Sequence, residues 1–307
     1  MPYQRNKVYT SNHYVQNGRW RHYVSQSDIK DFEHCADSHR RKLLELDPPM
    51  QNDAALLGTV FATYPQNRIN GMNGTDAIQY CVELLLNGSL EGRYPIYGWH
   101  SPYLNQVTFK SFDEAKQILI SACFLIEEEL QKIPKGTRAE VGFEVKVHSD
   151  LKRDVYLRGA SDMWLPDGSI QDWKLSGQDY AGRDAWKFQR YDPQPGHYVL
   201  GRALVENAAV FSKKFTYVNI HRKKMVVQRL PLELTKGDLT WHLQRVLRLC
   251  DAVEAHGFEN PWPINPTDWW CSNKWCQSWK ECRGKHIGDD PWNLMANKRK
   301  ELGLSVT

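Results

Sequence analysis

The stretch Gly159-Ala160-Ser161-Asp162, with Asp172-Trp173-Lys174 ten positions on and Gln194-Pro195-Gly196-His197-Tyr198 after it, decides how this chain is read. Residues 155–165 read as a strand, Asp167-Gly168 as a tight turn, and residues 169–175 as the returning strand. An antiparallel hairpin built this way brings Asp162 back beside Asp172. Lys174 lies two residues past Asp172 and shares its face of the pleat. Asp192-Pro193 reads as an N-cap followed by proline in the first helical position. Gln194 and Tyr198, four apart, then lie on one helical face against the strand that carries Lys174.

Each residue type has a chemical use. Two aspartates are the hard oxygen donors that Mg2+ or Mn2+ takes. An ion held there polarises a phosphate and lowers the pKa of a water. A lysine beside that water steadies the nucleophile and the developing negative charge. A D-x-K triplet in a strand is common and by itself marks a solvated edge. The ordered set G-x-x-D, hairpin, D-x-K and Q-x-x-x-Y is much rarer and points to phosphodiester hydrolysis.

On these residues the segment resembles the PD-(D/E)XK nuclease superfamily, and within it the RecB-like branch. The resemblance implies an α/β (α+β) fold: a restriction-endonuclease-like mixed sheet in α-β-β-β-α-β order, flanked by helices. It implies Asp162 and Asp172 as metal-binding acids, joined by the carbonyl of Trp173, with Lys174 catalytic. Gln194 and Tyr198 would brace the site and approach DNA. The implied activity is a metal-dependent DNA exonuclease in which water attacks phosphorus in line. Its implied setting is DNA end processing in recombination, repair or replication, in a phage-encoded version among others, with linear single-stranded ends as substrate. A helicase or annealing protein is the implied partner. A structure-specific endonuclease and a non-catalytic DNA-binding scaffold are the alternatives. One departure stands out. The branch carries a metal-binding histidine in an early G-x-x-x-H helix, and the comparable stretch Leu57-Gly58-Thr59-Val60-Phe61-Ala62 has Ala62 at that place. Glu140 and Glu144 lie on the strand before the motif. Glu144 can be read as leaning into the site, but period-two alternation favours an exposed residue.

Four of the seven cysteines form a second constellation. Cys271, Cys276 and Cys282 cluster near the end, and Cys35 sits far upstream. The N-terminus has no apolar signal region, and no apolar run is long enough for a membrane span. A cytoplasmic location and no membrane partner are therefore expected, and the resemblance implies that the cell is bacterial or phage-infected. Thiols kept reduced there point to metal rather than disulfides. Tetrahedral sulfur suits zinc or an iron–sulfur cluster, and spacing alone does not choose. Unmetallated thiols packed among Trp262, Trp269, Trp270, Trp275 and Trp279 are the plainer reading. One cysteine before the core and three after it is similar to the iron–sulfur members of the branch, the CRISPR-associated exonucleases among them. The upstream Ser-x-Ser-x-Ile-x-x-Phe-x-x-Cys pattern is similar to theirs as well. That resemblance assigns Cys35, Cys271, Cys276 and Cys282 to a [4Fe–4S] cluster stapling a cap, with structural Zn2+ as the alternative. The four-residue gap between Cys271 and Cys276 is longer than the two usual there. Cys81, Cys123 and Cys250 fall in helical patterns and read as small buried apolar residues.

Composition narrows less. A content of 41% hydrophobic and 25% charged residues is ordinary for a globular chain and permits a sizeable core. The net charge of +4 does not by itself demand nucleic acid. At 307 residues one domain is expected over 1–307, with a catalytic core over 139–231 and the cysteine cap built from 25–46 and 262–285. Residues 1–24 read as a loop or arm. Residues 25–46 read as one helix opened by the Ser25/Asp28 capping box, with a basic tail, His39-Arg40-Arg41-Lys42, that reads as a solvated helix end or, more sharply, as a phosphate contact. Helices are expected over 53–64, 75–86, 111–133 and 234–255. Residues 90–110 read as loop. Strands are expected over 139–147, 215–221 and 225–230, the last two around Arg222-Lys223-Lys224. That basic turn reads as a solvated tip or as a guide for a DNA backbone. Lys274, Lys280 and Arg283 beside the cap tryptophans read as single-strand contacts or as packing. Residues 287–307 read as a polar tail with a short helix.

Overall fold

A computed structural model describes residues 10–46, 51–89, 96–182, 185–208 and 211–265, with Cys271, Cys276, Ser278, Trp279 and Cys282. The chain divides into two compact units. One is Ser11–Lys30 with Met50–Ala255; the other takes Met1–Thr10, Asp31–Pro49 and His256–Thr307.

The elements begin with β1 (His13–Gln16), β2 (Arg19–Val24), α1 (Gln26–His34) and α2 (Ala36–Leu43). Next come β3 (Gln51–Asn52), α3 (Asp53–Ile69), α4 (Gly74–Asn87), β4 (Gly88–Ser89), β5 (Ile96–Tyr97), β6 (Leu104–Asn105) and α5 (Phe112–Gln131). The central run is β7 (Arg138–Ser149), β8 (Arg153–Trp164), β9 (Ile170–Ser176), α6 (Ala185–Arg190) and α7 (Gln194–Val205). It closes with β10 (Lys214–His221), β11 (Val226–Glu233) and α8 (Lys236–His256).

Residues 11–24 are not an arm but a hairpin. Asn17 and Gly18 take φ of 52° and 76°, the two positive angles that a two-residue hairpin turn needs. The seven-stranded sheet is open and mixed, in the order β1-β2-β8-β9-β10-β11, with β7 also on β8. β7 runs antiparallel along β8 from Arg138↔Trp164 to Ser149↔Asp154 and so fills one edge of it. β2 and β9 must share the other edge. β2 pairs parallel with residues 153–157, whereas β9 pairs only with Met163 and Trp164. The sheet forks between them.

Helices α3, α4 and α5 cover one face. Leu57, Val60, Phe61, Leu119 and Ile126 pack there against Met163, Trp173, Leu175, Val218 and Ile220, all buried. Each such side chain contributes about 1.5–3 kcal/mol relative to an exposed position. The helices start where caps dictate. Asn52 accepts from Ala55 N at 2.7 Å and Asn73 from Asp76 N at 2.9 Å. Ser111 Oγ accepts from Glu114 N at 3.2 Å, and Glu114 returns to Lys110 N at 2.7 Å. α3 runs five residues beyond the expected Tyr64, straight through Pro65. In α8, His242, Arg245, Val246, Leu249 and Cys250 are buried, while Leu243 and Leu247 are half-buried. Cys81 and Cys123 are buried as read.

The expected helix 25–46 is two helices. The Ser25/Asp28 box forms, with Ser25 N donating to Asp28 Oδ2 at 2.8 Å and Asp28 N to Ser25 Oγ at 3.3 Å. Cys35 then breaks the run with an extended backbone, φ −161° and ψ 111°. In the smaller unit only the end of the basic run is solvated: Lys42 is exposed, whereas His39, Arg40 and Arg41 are buried. Arg40 Nε donates to Asp37 Oδ1 at 2.7 Å and its Nη1 to Phe258 O at 3.1 Å. Asp37 Oδ1 also accepts from Trp262 N at 2.8 Å, and Trp262 stacks on Phe258. A buried guanidinium is tolerated because it is paired and hydrogen-bonded. Among the described residues no helix is long and apolar enough to cross a membrane. The expected tail over 287–307 lies outside the described residues, as do Trp269, Trp270, Lys274, Trp275, Lys280 and Arg283.

Candidate active site

The hairpin that carries the two aspartates closes through Pro166-Asp167-Gly168. Gly168 N donates to Leu165 O at 3.1 Å, and Leu165 N to Ser169 O at 2.9 Å. Gly168 sits at φ 87°, where a side chain would be strained. Asp167 Oδ1 braces the turn by accepting from Ser169 N and Oγ, at 2.9 and 2.6 Å. The register that follows is Trp164↔Ile170 and Met163↔Gln171. One more step would set Asp162 opposite Asp172, and the ladder stops there. Instead of a backbone carbonyl, the Asp162 carboxylate takes the next amide: Trp173 N donates to Oδ2 at 2.8 Å. A side chain thus ends the strand pairing, and the strands part with both acids at the opening.

Alternation along β9 sorts the rest. Trp173 and Leu175 enter the core under α3 to α5. Asp172 and Lys174 take the opposite face, toward α7. Asp172 is fully buried. Its Oδ1 accepts from Gln194 Nε2 at 2.6 Å, and its Oδ2 lies 2.7 Å from Lys174 Nζ. Gln194 Nε2 also reaches the Tyr198 hydroxyl at 3.3 Å. All five expected residues, Asp162, Asp172, Lys174, Gln194 and Tyr198, therefore meet. Asp192 Oδ1 accepts from Gln194 N at 3.0 Å, but the helix opens one residue later than the Asp-Pro pair indicated, with Pro193 in the N-cap place and Gln194 first in the helix.

Burial dominates the electrostatics. It pushes the Asp172 carboxyl up to about 8, with Lys174 opposing and Asp162 adding to the rise. Burial likewise raises Asp162, against the pull of Lys174 and the Trp173 N–H. For Lys174 burial acts downward, but Asp172 and Asp162 outweigh it and hold the ammonium above its usual range. A buried Asp172 and a half-buried Asp162 that share the field of one cation lack positive charge.

α7 is buried on nearly every side, and its seating fixes Gln194 and Tyr198. At Gly201 a methyl group would overlap the Phe143 ring, so the helix approaches β7 only because nothing projects there. His197 Nε2 lies 3.1 Å from Arg158 O, and its Nδ1 lies 3.2 Å from His242 Nε2. The carbonyl can only accept, so His197 carries its proton on Nε2 and His242 donates to Nδ1.

Sequence reasoning missed the wall beside the acids. Tyr180 stacks on Phe188 at 3.7 Å, and both meet Tyr217 edge-on. Burial raises the Tyr180 phenol, whose proton is also sensitive to Lys174, Asp192 and Asp172. Asp192 was legible as a cap but not as a charge that also reaches Asp172. The spacing Tyr180 to Phe188 to Asp192, immediately before the glutamine, was the only available signal.

Ala62 is half-buried on α3, and Glu140 and Glu144 are exposed on β7, as alternation indicated. At the basic turn the Arg222 guanidinium lies over the Phe109 ring at 5.5 Å, and Lys224 Nζ is 3.4 Å from Asp179. In the smaller unit Cys35, Cys271, Cys276 and Cys282 line one recess of about 430 Å3, solvent-open space included, with His34, Asp37 and Trp279. Burial raises the Cys276 thiol and pushes that of Cys282 up to about 11. Among the described residues no three His, Cys, Asp or Glu side chains converge tightly enough to hold a single ion as they stand.

No protein-family model and no curated protein matches the chain. Among solved structures it is similar to the crystal structure of a protein described as "Putative exonuclease" from Eubacterium rectale. The two are 15% identical, covering 81% of this chain and 86% of that one, with a TM-score of 0.48. It is also similar to the crystal structure of SSO0001, at 9% identity over 71% of this chain and 86% of that one, TM-score 0.30.

Proposed function

We propose that the chain is a divalent-metal-dependent deoxyribonuclease of the PD-(D/E)XK, RecB-like kind, acting as an exonuclease on linear DNA. One observation carries this reading. Asp162 and Asp172 face each other where the hairpin ladder opens, with Lys174 and Gln194 on the two oxygens of Asp172.

The residues fit the ion that the reading requires. Asp172 Oδ2 is buried with the Lys174 ammonium 2.7 Å away, and a carboxylate oxygen that accepts one N–H still has a second lone pair for a cation. Asp162, Asp172 and the Trp173 carbonyl would hold Mg2+ or Mn2+. When bound, the ion supplies Lewis acidity to the scissile phosphate and acidifies a water. Gln194 fixes the rotamer of Asp172, and the second oxygen, shared with Lys174, would turn its remaining lone pair to the cation. Lys174 has three N–H donors, of which Asp172 engages one. The others orient the attacking water and face the charge that develops on the phosphoryl oxygens. Tyr198 and Phe143 close the apolar side of the site and keep it dry.

Cys35, Cys271, Cys276 and Cys282 are proposed as ligands of a [4Fe–4S] cluster. One zinc ion takes four sulfurs at about 2.3 Å from a single centre. A cluster distributes them over separate irons. The choice of the cluster over one zinc ion rests on the resemblance in cysteine arrangement, and the shared recess is open to either.

The test is cleavage of end-labelled linear single- and double-stranded DNA, beside covalently closed circles, with Mg2+ or Mn2+. Degradation of linear DNA alone, lost in Lys174→Ala, is the expected result. Cutting of closed circles would make the chain an endonuclease. DNA binding without cleavage would make it a scaffold and overturn the reading.

A further inference from the structure

In chain order helix α6 follows the strand that carries Asp172 and precedes the helix that carries Gln194. One of its residues is pinned inward, Phe188 against Tyr180 at 3.7 Å. The chain that leaves it is also fixed. Arg245 Nη2 donates to Tyr191 O at 2.8 Å, and the next residue, Asp192, accepts from Gln194 N. On this anchored segment two large aromatic side chains point to solvent: Trp186 is 49% exposed and Tyr191 is 61% exposed. They touch edge-to-face with ring centroids 5.6 Å apart. Lys187 Nζ lies 5.8 Å from the Trp186 ring. Single exposed aromatics are ordinary on protein surfaces. Two in mutual contact, with a cation beside them and one residue from the group that seats the catalytic glutamine, form an aromatic surface with a positive edge. Such a surface matches a nucleotide with an unpaired base and a phosphate.

We propose that Trp186 and Tyr191 form a stacking platform for an unpaired base of a single-stranded DNA end, beside the Asp162–Asp172 site. The proposal rests on the nuclease reading and specifies its substrate as single-stranded. Bases in a duplex offer no free face except at the terminal pair. A single strand offers one at every nucleotide, and stacking accepts any base because each has a π-face.

The full-length protein is tested by fluorescence anisotropy, with Ca2+ replacing the catalytic ion, on three labelled probes. These are a short oligothymidylate, an abasic strand of the same length and charge, and a blunt hairpin duplex. Wild type binds the base-bearing strand about tenfold or more tighter than the abasic one, the effect of stacking one base. Trp186→Ala with Tyr191→Ala removes that preference and leaves abasic binding unchanged. Trp186→Phe with Tyr191→Phe keeps most of it. Equal binding of the base-bearing and abasic strands by wild type overturns the platform without reference to any variant. A preference that survives the alanine pair overturns it too. If Lys174-dependent cleavage persists in either case, the nuclease reading stands and only the platform falls. If wild type binds none of the probes and cleaves no DNA, both fall.

Discussion

Acid should loosen the seam between α7 and α8 by an amount that the structure sets. His197 is fully buried, and its two ring nitrogens are committed to Arg158 O and to His242 Nε2. Burial is the main reason its pKa falls from 6.5 to about 4, with the Arg158 carbonyl and Asp28 pulling the other way. Burial, His197 and Arg245 together hold His242 well below its usual value. The sign follows from proton counts. Above pH 6.5 His197 is neutral whether the chain is folded or not, and its contribution to stability is flat. Between 6.5 and about 4 the unfolded chain takes a proton at this histidine that the native one refuses, so the His197 contribution falls as pH falls. Below that both states are charged and the loss is complete. The gap from 6.5 to about 4, at about 1.36 kcal/mol per unit, is about 3 kcal/mol. His197→Gln is the informative substitution, because its amide can donate to Arg158 O and accept from His242 yet cannot titrate. Urea unfolding of both proteins from pH 7.5 to 4 should show wild type losing about 3 kcal/mol more than the variant. His22, Asp162 and Asp172 also titrate, but they are common to both proteins and cancel in the difference. Parallel pH profiles for the two proteins would refute the reasoning.

Gln194→Ala strips the donor from Asp172 Oδ1 and should cost about 1–3 kcal/mol in urea unfolding. On the proposed reading it also weakens Mn2+ binding roughly tenfold or more, read by titration calorimetry. Gly201→Ala drives a methyl into the Phe143 ring and should destabilise by about 2 kcal/mol net, after the gain in helix propensity. Phe143→Leu in the same chain should recover part of that loss. Protein purified without air should be brown and contain iron, and Cys282→Ser should bleach it; a colourless wild type carrying zinc would move the four thiols to the zinc reading.

Local chemistry made the hairpin legible. The Asp167-Gly168 turn and the two-residue alternation fix a register in which Asp162 faces Asp172, and Asp192-Pro193 places the start of α7 to within one residue. The same logic should have found β1 and β2, because Asn17-Gly18 is a strong hairpin signal; its polar, aromatic strands disguised it. Other features were decided by distant partners. Arg40 is buried because Phe258 O, 218 residues away, accepts from it. Cys35 breaks the helix without any glycine or proline to announce it. α3 passes through Pro65, which read locally as a place to stop. Each of these is tertiary packing overriding a local preference. In the site, the ending of the ladder by a carboxylate could not be read, since sequence gives register but not which group takes each amide.

The forked edge of β8 has a consequence for synthesis. β2 leaves the ribosome long before the strand it must join: Arg19 and its partner Asp154 are 135 residues apart. At 5–20 residues per second that wait is on the order of ten seconds. Through it the nascent β2 has β1 on one side and an open edge on the other, the condition in which strands capture foreign chains. Arg19 and Arg21 charge that strand throughout the wait, and in the finished sheet both lie within ion-pair reach of Asp154. The same arginines that tie the completed sheet together would guard it while it is incomplete.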